Sequence, residues 1–230
     1  DEEKLTRETA RAFVNDKVLE IIDEHAQNET FPAHLIPEMG ALGFFGPTLP
    51  EEYGCAGLSN VAYGLLMYEL ERGDSALRSM ASVQGSLVMY PIYAFGSKEQ
   101  KEYWLPKMAA GEMIGCFGLT EPDFGSNPSG MRTRAERSAD GTWLINGTKM
   151  WITNAGFANL LIVFAKVEGE KFTGFIVDRE LEGITLGAEE DKMGIKGSST
   201  RQIYFENAKI PAENVLGEIG KGYLIAFNVL

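Results

Sequence analysis

Thr120, Glu121, Pro122, Gly125 and Ser126 crowd together at the end of the run Gly115-Cys116-Phe117-Gly118-Leu119. Cys116 to Leu119 reads as a short, mostly apolar strand. Thr120 to Asn127 reads as a turn, with Pro122 fixing φ and Gly125 free to take φ > 0. A strand that empties into such a turn gathers hydroxyls and bare backbone N–H groups at one point. Those groups suit a phosphate or the polar edge of a ring. Spacing alone favours an ordinary strand-to-loop turn, so the elements around the stretch must decide.

Residues 6–28 read as an amphipathic helix, with Ala10, Phe13, Val14, Val18, Ile21 and Ile22 at helical spacing. A short helix follows over 33–42. Gly46 to Gly54 is loop by its Gly and Pro content. Ser59 starts a helix to about Gly73, and 75–95 is a long, largely buried helical pattern. Ser97-x-x-Gln100 is a capping box for a further helix, interrupted at Pro106 and ended by Gly111. After Gly111 the period changes from near 3.6 to near 2. Strand-like runs occupy 114–119, 130–136, 142–146, 148–153, 160–166, 171–177, 183–187 and 200–206. Asn146-Gly147 is a hairpin signal between two of them. Many short strands at regular spacing predict a compact antiparallel sandwich or barrel. The segment 219–230 returns to a helical pattern. The fold expected is therefore α+β: an all-α domain over 1–113, a β domain over 114–218, and the start of a second helical domain over 219–230.

The net charge is −12 over 230 residues. That excludes wholesale nucleic-acid binding, which needs a basic face, but not an anionic ligand at a local site. No run approaches the roughly 18 apolar residues of a membrane helix. The start, Asp1-Glu2-Glu3-Lys4, lacks the basic residues and apolar run of a signal peptide. A bacterial cytoplasm or a mitochondrial matrix suits these features. Cys55 and Cys116 have no metal spacing and read as reduced, buried thiols. His25 and His34 have no nucleophile motif nearby and read as surface residues. No metal site is expected.

The string Phe-Gly-Leu-Thr-Glu-Pro-x-x-Gly-Ser over 117–126, followed by Lys149-Met150-Trp151-Ile152-Thr153-Asn154, resembles the flavin-binding signature of acyl-CoA dehydrogenases. The resemblance runs from about Leu5 to Leu230. It implies an N-terminal helical domain, a middle β domain and a C-terminal four-helix bundle, of which this chain would hold about the first 60 per cent. It also implies FAD, an acyl-CoA substrate, an electron-transfer flavoprotein as electron acceptor and a homotetramer.

By motif, Phe117, Leu119 and Thr120 would line the pyrimidine edge of the flavin. Gly125 and Ser126 would lie by the pyrophosphate, with Ser126 also meeting the CoA arm. Trp151 and Ile152 would flank the isoalloxazine, and Thr153 would hydrogen-bond near N5. The base of such enzymes is a Glu on the C-terminal bundle. No residue here matches it, so no catalytic residue is assigned, the fragment alone is expected to be inactive, and Glu121 is read as a loop holder. Position 127 is Asn where the family usually has Asp.

Tyr63 to Arg72 followed by Ser75 to Gln84, together with Gly115 to Leu119, is similar to glutaryl-CoA dehydrogenase in particular. There the pair matching Arg78-Ser79 faces the distal carboxylate of the substrate. A guanidinium in an apolar helix is costly unless paired, and a carboxylate pairs it bidentately. The alternative partner is an internal acid such as Asp74 or Glu71. The stretch 183–203 looks more like straight-chain acyl-CoA dehydrogenases. The expected function is thus oxidation of an acyl-CoA, with glutaryl-CoA giving crotonyl-CoA and carbon dioxide. The alternatives are a straight-chain acyl-CoA dehydrogenase and a non-catalytic acyl-CoA or flavin binder.

Overall fold

A computed structural model describes all residues, Asp1–Leu230. The first half is helical. It runs through α1 (Glu2–Phe13), α2 (Ile22–Gln27), α3 (Ile36–Ala41), α4 (Asn60–Gly73), α5 (Ser75–Ser82), α6 (Tyr90–Phe95) and α7 (Lys98–Ala109). The helix expected over 6–28 is interrupted instead: α1 passes into a π-turn over Val14–Val18, and the chain turns before α2. The apolar run over 75–95 stays helical throughout, with a π segment at Val83–Met89 joining α5 to α6. Ser97 and Gln100 form the reciprocal capping box at the start of α7.

Glu69 fastens α1 to α4. Its side chain is fully buried, and its Oε1 accepts from Arg7 Nε at 2.9 Å and Arg11 Nη2 at 2.8 Å. Its Oε2 accepts from Arg72 Nε at 2.9 Å. A buried carboxylate is tolerated because its oxygens meet three guanidinium groups.

The second half is a sheet of eight strands: β1 (Gly115–Gly118), β2 (Arg134–Arg137), β3 (Trp143–Thr153), β4 (Leu160–Val167), β5 (Lys171–Asp178), β6 (Ile184–Glu189), β7 (Thr200–Ile210) and β8 (Val215–Leu216). A helix α8 (Gly222–Val229) ends the chain. The order is β6-β7-β3-β2-β4-β5-β8, with β1 also on β4. The sheet is mixed rather than antiparallel, because β1 and β2 both run parallel to β4.

Strand β4 explains the layering. Leu160, Ile162 and Phe164 face one core, shared with the helices, while Leu161, Val163, Ala165 and Val167 face a second core enclosed by the sheet. Alternate side chains leave a strand on opposite faces, so a strand buried on both reads as one continuous apolar run.

The hairpin expected at Asn146-Gly147 does not form. β3 runs unbroken through both residues, with irregular pairing to β7 after Ile145 and again after Lys149. Gly147 serves a close approach instead of a turn: a Cβ there would stand 2.3 Å from Thr133 Oγ1. Asn146 turns its side chain across the sheet, its Nδ2 donating to Asn207 Oδ1 at 3.1 Å. Gly147→Val should therefore destabilise the protein by about 2–3 kcal/mol through overpacking. Thermal unfolding of the variant against the parent checks this.

Two buried amides join the halves. Gln84 Nε2 donates to the carbonyls of Met108 and Met113, and its Oε1 accepts from Gly115 N at 2.8 Å. Asn154 Nδ2 donates to Met80 O and Gly115 O. Helix α5 is thereby fixed against the start of β1. No helix is long and apolar enough to cross a membrane.

Candidate functional site

The end of β1 and the middle of β3 lie side by side. Met150 N donates to Thr120 O at 2.8 Å. Lys149 Nζ donates to Leu119 O at 3.2 Å and to Glu121 Oε1 at 2.8 Å. The sheet thus brings together 117–120 and 149–151, the two segments singled out in the sequence. Phe117 is half-buried, with its ring 5.2 Å from that of Phe164. Thr120 is half-exposed at the rim.

Trp151 occupies the second pairing irregularity of β3. Its φ is +57°, rare for a bulky residue, and the residue is 60% exposed. A large aromatic held outward by a left-handed backbone has no core role here, since a core role would bury it. Ile152 is different. Its side chain is 2% exposed and packs in the enclosed core, which leaves only its backbone to meet a ligand. Leu119 is likewise buried, at 7%. Thr153 pairs with Thr200 at the end of the β3–β7 ladder and is half-buried.

Gly125 and Ser126 lie at the exposed tip of the loop after β1. Gly125 does not take the positive φ expected of it. Its reason lies elsewhere: a Cβ there would meet nothing within 4 Å. Neither backbone strain nor internal packing requires glycine at this place, so the open side is available for close approach by a ligand.

The loop is closed by Glu121. Its Oε2 accepts from Arg132 N at 2.6 Å, and its Oε1 accepts from Thr133 N at 3.0 Å as well as from Lys149. Desolvation raises the Glu121 carboxyl, but Lys149 and the two backbone donors outweigh it and hold the group below the usual value. Burial lowers the Lys149 ammonium to about 8, with Glu121 opposing the shift. Glu121 is therefore an ionised structural anion with both oxygens engaged, and no free general base.

Arg78 and Ser79 sit on α5, which Asn154 ties to the start of β1 through Met80 O and Gly115 O. Arg78 Nε donates to Glu71 Oε2 at 2.6 Å, and its Nη1 makes a long contact of 3.4 Å with Ser82 Oγ. Glu71, one of the two internal partners open from the sequence, is the partner present. Hydrogen bonds from Ser75 and Arg78 hold the Glu71 carboxyl below its usual value. The Nη2 of Arg78 has no protein partner, and a third of the side chain remains exposed. The guanidinium is thus oriented by Glu71 with donors to spare. Ser79 is half-buried, and its carbonyl accepts from Ser82 Oγ.

The large cavities lie elsewhere. One of about 690 Å³ lies between the α6–α7 turn and α8, lined by Phe95, Gln100 and Leu224 among others. The cradle formed by 117–126 and Trp151 is an open face. Both cysteines are free and buried, and burial pushes Cys55 up to about 11 and Cys116 up to about 12. Neither is a reactive thiolate. No group of three or more His, Cys, Asp or Glu is gathered where it could hold a metal ion.

The family description "acyl-CoA dehydrogenase, N-terminal domain" matches residues 1–112, and "acyl-CoA dehydrogenase, middle domain" matches 116–208. The chain belongs to the acyl-CoA dehydrogenase family. The human mitochondrial short-chain specific acyl-CoA dehydrogenase is 40% identical over 97% of this chain and 55% of its own length. The glutaryl-CoA dehydrogenase of Mycobacterium smegmatis, solved in complex with FADH2, is 44% identical with a TM-score of 0.92. It aligns with 99% of this chain, which covers 59% of that structure. The butyryl-CoA dehydrogenase of Megasphaera elsdenii is 37% identical with a TM-score of 0.96, over 100% of this chain and 62% of that one. The chain spans about half the length of the curated relatives it matches. What it carries of an acyl-CoA dehydrogenase is the N-terminal and middle domains.

Proposed function

We propose that the protein carrying this chain is an FAD-dependent acyl-CoA dehydrogenase. It would remove two hydrogens from the α and β carbons of an acyl-CoA thioester. The observation that carries this reading is that the sheet sets the backbone at 119–120 beside 149–150, next to the outward Trp151, with an uncovered Gly125 in the loop that follows, on a chain of this family. The residues fit the cofactor. Thr120 and the backbone of Phe117 and Leu119 would hold the pyrimidine edge. Gly125 and Ser126 would take the pyrophosphate side, where no Cβ obstructs approach. Trp151 would pack on the ring, and the Thr153 hydroxyl would face N5.

FAD, when bound, supplies the acceptor for the hydride from the β carbon. The chain's own part is to position that ring and the acyl-CoA. Ser126 would also hold the CoA arm. The resemblance implies a Glu of the C-terminal bundle as proton acceptor at the α carbon, and Glu121, with both oxygens engaged, is not assigned that role. We assign electron-transfer flavoprotein as the electron acceptor and a homotetramer as the assembly.

For the substrate we favour glutaryl-CoA. Arg78 is aimed by Glu71 and keeps an unpartnered Nη2, which suits a distal carboxylate. A second reading, a straight-chain acyl-CoA such as butyryl-CoA, is favoured by the same ion pair from the other side: with Glu71 present, Arg78 is neutralised without any substrate carboxylate. Turnover of butyryl-CoA and glutaryl-CoA with an artificial electron acceptor tests the activity. Formation of crotonyl-CoA from either supports it. Absence of any enoyl-CoA product in a protein that retains flavin would refute it.

A further inference from the structure

Between Thr120 and Met131 the loop's backbone-to-backbone hydrogen bonds stay inside it, except at Thr120 O. Glu121 and Phe124 exchange backbone bonds, Gly130 N donates to Asn127 O, and Met131 N donates to Pro128 O. Phe124 lies over Gly130, and Asp123 pairs with Arg132 at 3.0 Å, both of them exposed. The loop is tied to the sheet at one place. There Met150 N meets Thr120 O, and Lys149 Nζ meets Leu119 O and Glu121 Oε1. Lys149 has no exposed surface and Glu121 only 5%.

Lys149 also stands immediately before the irregularity of β3 that turns Trp151 outward. One ammonium therefore touches the strand end that precedes the loop and the carboxylate that closes it, and it comes from the strand that carries Trp151. A buried ion pair contributes little net stability compared with apolar residues of similar size, which leaves a role in fixing geometry.

We propose that the Glu121–Lys149 pair is a positioning clasp for the cradle: it sets the 120–126 loop against Trp151 so that the flavin site is formed before the cofactor arrives. This inference rests on the flavin reading given above. The two residues act through the loop and Trp151 and need not touch the flavin.

The test uses the full-length protein that carries this chain and compares the parent with Lys149→Met and with the double variant Glu121→Leu/Lys149→Met, which removes both charges together. In the double variant the melting temperature of the apoprotein should fall less than in Lys149→Met, because no unpaired charge remains buried and only the Arg132 and Thr133 N–H groups lose an acceptor. Amide exchange at Arg132 and Thr133 should nevertheless accelerate at least about ten-fold, since each loses a charged acceptor. FAD should bind about ten-fold more weakly or worse, because a loosened shell misplaces the contacts. Lys149→Met alone should lose both stability and FAD affinity, through the stranded carboxylate. Parent-like FAD affinity and parent-like exchange in the double variant would overturn the clasp. A parent protein that takes up no FAD, with exchange behaving as expected, would instead remove the flavin reading on which the clasp depends.

Discussion

Glu69→Ala should destabilise the helical half by about 3 kcal/mol, near the low end for breaking a buried ion pair. Glu69 is wholly buried, yet it holds Arg7, Arg11 and Arg72 at 2.8–2.9 Å. Removing it leaves three guanidinium groups facing one another where α1 meets α4. Their side chains are 34–47% exposed and can swing toward water, which keeps the loss from being larger. For a protein of this size the loss corresponds to a fall of about 6–12 °C in Tm. Acid should act through the same residue. Desolvation raises the Glu69 carboxyl, but its bonds to Arg11, Arg72 and Arg7 prevail and bring it down to about 2 from 4.5. The folded state therefore binds the proton less readily than the unfolded state. The stabilisation is complete above pH 4.5 and drains away as pH falls from there toward 2. Denaturant unfolding at pH 5.5 and pH 3 should show a smaller pH-dependent loss in Glu69→Gln than in the parent. Equal losses in the two proteins would mean that Glu69 carries none of the acid sensitivity.

Arg78→Ala should divide the two candidate substrates. On the glutaryl-CoA reading the guanidinium offers its free donors to the distal carboxylate. Charged hydrogen bonds are worth about 1.5–3 kcal/mol each, so kcat/KM for glutaryl-CoA should fall about 10²-fold to 10⁴-fold. The value for butyryl-CoA, which has no carboxylate to lose, should change only a few-fold. Glu71→Gln should show a smaller loss in the same direction, because it frees the Nε bond that aims the fork. Steady-state kinetics with both thioesters on the three proteins decides. An equal effect on both substrates would place Arg78 in structure alone and leave the straight-chain reading.

What the sequence made legible follows periodicity. The apolar run at 75–95 is helical from end to end, because a continuous buried pattern survives the π segment within it. The strand-like run at 160–166 corresponds to β4, which is apolar on both faces. Strand pairing was less visible. β1 and β4 are parallel and far apart in sequence, and no turn residue marks a parallel neighbour as Asn-Gly is supposed to mark a hairpin. At Asn146-Gly147 that local signal was overridden by tertiary packing, the glycine being needed beneath Thr133.

In the cradle, 117–120 and 149–151 were found by motif, and the sheet sets them adjacent. Of the clasp, Glu121 reads as a loop holder and its partner Lys149 was missed, although a trace of it was present. Lys149 falls on the inward register of β3 shared by Trp143 and Ile145, where a charge must have a partner. Nothing local could say that the partner was Glu121, across 28 residues.

The central claim is that this chain presents a flavin to an acyl-CoA thioester. Its most direct test is an anaerobic titration of the flavin-loaded full-length protein that carries this chain with butyryl-CoA and, separately, with glutaryl-CoA, followed in the visible spectrum. The account predicts that at least one thioester bleaches the oxidised flavin at near-stoichiometric addition. A flavin that dithionite bleaches and neither thioester touches would contradict it.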